Sequence, residues 1–274
     1  MWLLRHVFVP VVALAAVAPT LPSPSHLNVD LVSEYRAIAP ARIAWIGLRF
    51  EIEPGWHIYW KDPGDSGEPP SVQWNLPPGL KAGAIRWPAP QRIPDHTLVD
   101  YGYNHSVLLM APIRLLRPVP TVSPVKVSAT VKYLVCREVC IPGASHVAMS
   151  LPVSRTSSRP SEWHKLFVQT RAHWPKPTPT GWRVGALATG GGFVLSLHTG
   201  SSEHQALFFP ADPNVIKNAA PQPATALADG VRLTLQKSDL LVKPVTHLEG
   251  VIVFGGTCAF VIRAPVHSQT RRGG

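Results

Sequence analysis

The chain has 274 residues, 45% of them hydrophobic, and a formal net charge of +10. That hydrophobic share argues against whole-chain disorder, and 30 prolines and 20 glycines argue against long helices, in favour of short strands joined by turns. Lys and Arg are scattered singly rather than clustered, so the charge describes a basic surface and not a nucleic-acid patch.

The start reads as a targeting segment. Arg5 precedes an apolar run from Val7 to Ala18, too short to span a bilayer, and small residues at Ala16 and Ala18 near its end fit a cleavage site. A signal peptide is expected over residues 1–26, which implies export and a mature chain without a transmembrane segment.

Strands follow. Leu27 to Val32 is a first one. From Ala44 to Ile52 the side chains of Ile46, Leu48, Phe50 and Ile52 share one face. Trp56 to Trp60 is a short aromatic strand. Residues 61–70 then read as a polar loop carrying Asp62, Asp65 and Glu68. Val72, Trp74 and Leu76 alternate, Ile85 to Trp87 is brief, and residues 88–104 read as a long loop holding Tyr101 and Tyr103. Ser106 to Leu116 pairs with the clearest strand of all. In the latter, Val125, Val127, Ala129, Val131, Tyr133 and Val135 alternate with Lys126, Ser128, Thr130 and Lys132. It ends at Cys136, and Cys140 follows before Ile141-Pro142-Gly143, which is expected to stop the run. Val147 to Val153 is the last strand of this unit.

Seven or eight short strands with turns between them predict an all-β, immunoglobulin-like sandwich over residues 27–155. Residues 156–181 read as a helix (162–173) and a Pro-rich linker. A second, smaller β-sandwich-like domain is expected over residues 182–267, with strands near 193–198, 206–209, 231–236, 250–254 and 258–262. Residues 268–274 form a tail.

Two of the three cysteines sit together. Fully extended, Cys136 and Cys140 would hold their Cα atoms ~13 Å apart at ~3.3 Å per residue. A disulfide needs ~4.4–6.8 Å, so Arg137-Glu138-Val139 must turn the chain back. So small a loop constrains few residues, which favours exchange over stapling. Arg137 is placed to help hold a thiolate. Two alternatives stay open. One is a static bridge in a non-catalytic binding module. The other is a copper-handling protein using Cys136, Cys140, His146 and Met149 as soft ligands. Cys258, in Gly256-Thr257-Cys258-Ala259-Phe260-Val261, reads as a buried residue of a core strand.

VKYLVCREVCIPG resembles the cysteine segment in the N-terminal periplasmic part of DsbD-like and ScsB-like thiol:disulfide interchange proteins. The likeness extends to EPGWHIYWKDPGDSGEPPSVQW, IRWPAPQRI, VDYGYNHSVLL and FFPADPNVIKNAAPQ, from about Asn28 to about Pro265. It implies an immunoglobulin-like sandwich whose cysteines, here Cys136 and Cys140, cycle between dithiol and disulfide without a cofactor or metal. The implied partners are a membrane-embedded thiol electron donor and periplasmic thioredoxin-like proteins, and the compartment is the periplasm. Larger members continue into a transmembrane domain and a thioredoxin-like domain, so a separately encoded donor is expected here. A loop covering the pair is also implied, with Trp60, Tyr101 and Tyr103 as its candidate aromatics. Asp62, Asp65 and Glu68 are candidates for tuning a thiol pKa. Cys136, ending a rigid strand, is expected to form the mixed disulfide with a partner, and Cys140 to resolve it.

Overall fold

Alternating burial marks several strands, and near-continuous burial others, in the computed structural model, which describes residues 26–39, 43–116 and 124–268. The expected signal peptide and tail lie outside the described residues, apart from His26 and Ser268. The strands β1 (Leu27–Ser33), β2 (Ala44–Ile52), β3 (Ile58–Gly64), β4 (Ser71–Asn75) and β5 (Leu80–Ala82) come first. Then come β6 (Gln91–Asp95), β7 (Leu98–Tyr103), β8 (Ser106–Leu115), β9 (Val125–Cys136) and β10 (Cys140–Leu151). After α1 (His164–Ala172) follow β11 (Lys176–Pro177), β12 (Arg183–Thr189), β13 (Gly192–His198) and β14 (Ala206–Pro210). The last are β15 (Ala224–Leu227), β16 (Gly230–Gln236), β17 (His247–Phe254) and β18 (Cys258–Ser268).

In the N-terminal half, the sheet β1-β2-β8-β5 faces the sheets β10-β9-β4 and β3-β7-β6. Leu48 and Phe50 of β2, Leu109 of β8, Val131 and Val135 of β9 and Ile58 and Trp60 of β3 meet in one core. This is an immunoglobulin-like sandwich. Residues 176–268 build an eight-stranded sheet of their own. Its Phe209, Val251, Val253 and Ala259 nevertheless belong to the same buried cluster as Trp60 and Tyr101. The two halves therefore share apolar burial rather than merely touching.

Several expectations are corrected. Residues 88–104 are not a loop: β6 and β7 form a hairpin through them, turning at His96 with φ 52°. Residues 99–103 are buried at every position, so β7 shows no alternation to read. β3 runs on through Gly64, with an irregular register between Tyr59 and Gly64, so part of the 61–70 loop is strand. Ile85 to Trp87 contributes only a bridge between Arg86 and Met110, and β5 is the strand there.

Ile141-Pro142-Gly143 does not end the run, because β10 continues through it to Leu151, paired with β9 throughout. Both backbone groups of Cys136 bond to His57, on the side away from β10. Pairs of this parity are therefore not hydrogen-bonded across the hairpin, and the nitrogen of Pro142 points to the free edge of an edge strand, where no donor is needed. Gly143 lies under the Tyr133 ring, where a Cβ would come within 2.4 Å of Cε2.

The 174–181 segment is not a free linker. Lys176 and Pro177 pair with Phe260 and Val261, and Thr178 Oγ1 donates to the Val261 carbonyl at 2.5 Å. The helix packs Phe167 against Val32, Leu108 and Met110, as its apolar spacing requires.

Candidate functional site

The β9–β10 hairpin joins its two cysteines across its end. Cys136 pairs with Cys140, their Cα atoms lie 4.2 Å apart, and the sulfurs are bonded. Arg137, Glu138 and Val139 make the reversal, closed by the Arg137 amide donating to the Val139 carbonyl at 3.2 Å. The sulfurs differ sharply in access. Cys136, the last residue of β9, is 2% exposed and bridged to His57, whereas Cys140 is exposed beside Val139, itself 63% exposed. The order expected from strand position, with Cys136 meeting the partner, does not fit this exposure.

The neighbour of the exposed sulfur is Tyr59, whose hydroxyl stands 3.4 Å from Cys140 Sγ. Its ring is buried, and burial raises its pKa to about 12, so the phenol keeps its proton. Behind it lies a polar chain. The Tyr59 hydroxyl is 3.5 Å from Ser66 Oγ. The Ser66 hydroxyl and amide both reach the Asp100 carboxylate at 2.9–3.0 Å. Asp100 Oδ2 lies 3.3 Å from His57 Nε2. Asp100 and His57 are 1% and 4% exposed, so these are buried polar groups with partners, as burial demands. Gly67, at φ +71°, brings the 64–68 segment against the Tyr59 ring, where a Cβ would sit 2.0 Å from Cζ.

Strand parity explains which residues converge. His57 and Tyr59 on β3 and its approach, with Asp100 on β7, face the cysteines. Ile58, Trp60, Tyr101 and Tyr103 face the shared core. Trp60 and Tyr101 meet Phe209 at ring distances of 6.4 and 5.0 Å. The Tyr101 hydroxyl donates to Asn218 Oδ1, and that of Tyr103 to the Pro88 carbonyl. These contacts turn the three expected covering aromatics away from the sulfurs. Tyr59 occupies the position beside Cys140 instead, on the face of β3 opposite Trp60.

Among the carboxylates, Asp62 is 2% exposed and packed toward the C-terminal half. Burial raises its pKa to about 6. Asp65 accepts from Asn218 Nδ2 and from the Val99 amide. Of these three candidates Glu68 borders the hairpin, in a groove of about 450 Å³ with Lys132, Tyr133 and Pro142. The Arg137 guanidinium lies over the Trp56 ring, 5.3 Å from its centroid. His146 bonds Thr130 and sits six residues along β10 from Cys140, ~20 Å at ~3.3 Å per residue. Met149 is farther still, so the soft-ligand set does not converge. Among the described residues no group of three or more His, Cys, Asp or Glu is placed to hold a metal. Cys258 is not a core residue: it opens β18 just after the turn at Gly255 and Gly256 and is exposed.

Sequence reasoning missed Tyr59, His57, Ser66 and Asp100. All four lie inside the motifs EPGWHIYWKDPGDSGEPPSVQW and VDYGYNHSVLL, but which aromatic faced the sulfurs depended on parity that an all-buried segment hides.

The fold and site define an immunoglobulin-like sandwich that presents a disulfide at the tip of an edge hairpin. Residues 28–152 match the family described as thiol:disulfide interchange protein DsbD, N-terminal. The chain is also similar in fold to the N-terminal periplasmic domain of ScsB from Proteus mirabilis, with a TM-score of 0.65 and 18% identity, over 90% of this chain and 96% of that one. No curated protein matches the chain in sequence. No helix among the described residues is long and apolar enough to cross a membrane.

Proposed function

We propose that the chain is a periplasmic thiol–disulfide exchange module, exported by its N-terminal segment, in which Cys140 meets the partner and Cys136 resolves the mixed disulfide. The observation that carries this reading is the contrast between an exposed Cys140, beside a buried phenol, and a Cys136 that is 2% exposed.

In the reduced module the Cys140 thiolate attacks an oxidised partner. A Cys140–partner bond forms, the partner's own S–S bond breaks, and the leaving thiolate takes a proton. The Cys136 thiolate then attacks Cys140 Sγ, the intramolecular bond forms, and the partner's second sulfur leaves as a thiol. Two electrons and two protons pass to the partner. The acceptors are thioredoxin-like periplasmic proteins, and a membrane-embedded dithiol donor runs the same steps in reverse. Tyr59, protonated through the physiological range, donates to the Cys140 thiolate and lowers its pKa. The groove bordered by Glu68, Lys132, Tyr133 and Pro142 lies where a partner approaching Cys140 would rest.

Two measurements test this. Cys136→Ser should accumulate a mixed disulfide with a thioredoxin-like partner through Cys140, and Cys140→Ser should not; the reverse pattern restores the opposite order. The wild-type bond should equilibrate with glutathione, whereas a potential below about −300 mV would make it a static staple.

A further inference from the structure

FFPADPNVIKNAAPQ stands apart from the cysteine half in sequence, yet it supplies Asn218, which reaches back to the site. Asn218 is 5% exposed. Its Oδ1 accepts the Tyr101 hydroxyl at 3.0 Å, and its Nδ2 donates to Asp65 Oδ1 at 3.0 Å. Its backbone carbonyl accepts Arg92 at 2.7 Å. Both side-chain functions are thus used, on residues of the other half, 117 and 153 positions away.

What Asn218 holds is the segment that holds Tyr59. Asp65 is fixed from three sides: by Asn218, by the Val99 amide on its Oδ2, and by its own amide donating to the Val99 carbonyl. The next residue, Ser66, joins the Asp100 carboxylate to the Tyr59 hydroxyl, and the one after, Gly67, lies on the Tyr59 ring. The path from Asn218 to Cys140 therefore runs through one carboxylate, one peptide bond, one hydroxyl and one phenol. From this path we infer that Asn218 is a positioning residue for thiol exchange: it locks the 64–68 segment so that the Tyr59 hydroxyl stays on Cys140. The C-terminal half then has a part in the chemistry beyond covering apolar surface. The inference rests on the exchange function proposed above.

The test uses the full chain, reduced with dithiothreitol. The rate of iodoacetamide alkylation at Cys140 is followed against pH, read residue by residue by mass spectrometry because Cys258 is also exposed. In Asn218→Ala the pH midpoint of Cys140 should rise, and its rate at pH 7 should fall about threefold, the worth of one weakened hydrogen bond. Tyr101→Phe, which removes only the phenol's bond to Asn218 and keeps the ring against Phe209, should shift the midpoint in the same direction by less. Tyr101→Phe decides the matter should Asn218→Ala fail to fold. A lowered Tm with an unmoved midpoint in the folded variants would reduce Asn218 to glue between the halves and overturn the inference. Because the protein is reduced chemically, this readout is independent of the glutathione equilibrium. A wild-type bond that resists glutathione would defeat the exchange function while leaving the Asn218 result readable.

Discussion

The Tyr59 hydroxyl lies 3.4 Å from Cys140 Sγ. In the disulfide state this contact is weak. On reduction it becomes a phenol donating to a thiolate, a charge-assisted bond in a site screened by the 64–68 segment. Tyr59→Phe keeps the ring and removes the donor. Its expected effect is a rise of about one unit in the Cys140 pKa, equivalent to ~1.4 kcal/mol, and about tenfold slower alkylation at neutral pH. An unchanged pH profile in the reduced variant would show that the contact has no chemical consequence.

Gly67 makes the Tyr59 placement possible. Its φ of +71° disfavours any side chain, and a Cβ would lie 2.0–2.4 Å from three atoms of the Tyr59 ring. Gly67→Ala forces either the segment or the ring to move. The expected cost is about 1–3 kcal/mol in urea unfolding, with a Cys140 midpoint displaced in the direction of Tyr59→Phe. Wild-type stability together with a wild-type midpoint would contradict the close approach.

Asp62 carries a buried carboxyl whose Oδ2 has no hydrogen-bond partner. Burial raises its pKa from 3.8 to about 6; the Gly64 amide and Lys61 oppose the rise, while Asp212 and Asp65 add to it. The folded chain thus holds this proton to higher pH than the unfolded chain does. The resulting stabilisation is complete below the ordinary carboxylate pKa and is lost as pH rises through about 6. Asp62→Asn mimics the protonated form at every pH. Its Tm should exceed wild type at pH 8 by about 2–4 °C and converge with wild type near pH 4. A gain of equal size at both pH values would assign it to something other than ionisation.

How legible this arrangement is from residues alone depends on what covers each strand. β9 reads plainly, since Val125 to Val135 face a core while Lys126 and Lys132 face water. Its cysteine hairpin follows from reach, because four residues of extended chain cannot bring two sulfurs together. β7 does not read, because the shared core covers one face and the 64–68 segment covers the other. The aromatics were placed on the wrong side for the same reason. Trp60, Tyr101 and Tyr103 look like free covers for a sulfur pair until Phe209 and Asn218 arrive from over a hundred residues away. Pro142 misleads in a different way: it ends strands that need its missing donor, and here that donor would have pointed past the sheet edge.

Phe209 is where the two halves depend on each other most directly. It is 2% exposed, meets Tyr101 at 5.0 Å and Trp60 at 6.4 Å, and belongs to the cluster that also holds Phe50 and Leu109. Phe209→Ala should remove about 3–5 kcal/mol, the usual cost of a large aromatic cavity that neighbours only partly fill. The cavity borders both halves, so both should lose stability together. In the chemically reduced protein, urea unfolding followed by tryptophan fluorescence and by alkylation of the buried Cys136 should give coincident transitions at a lower midpoint. If the C-terminal half unfolds first while Cys140 keeps its native alkylation rate and pH midpoint, the shared core is not cooperative. The cysteine sandwich would then stand without its second half.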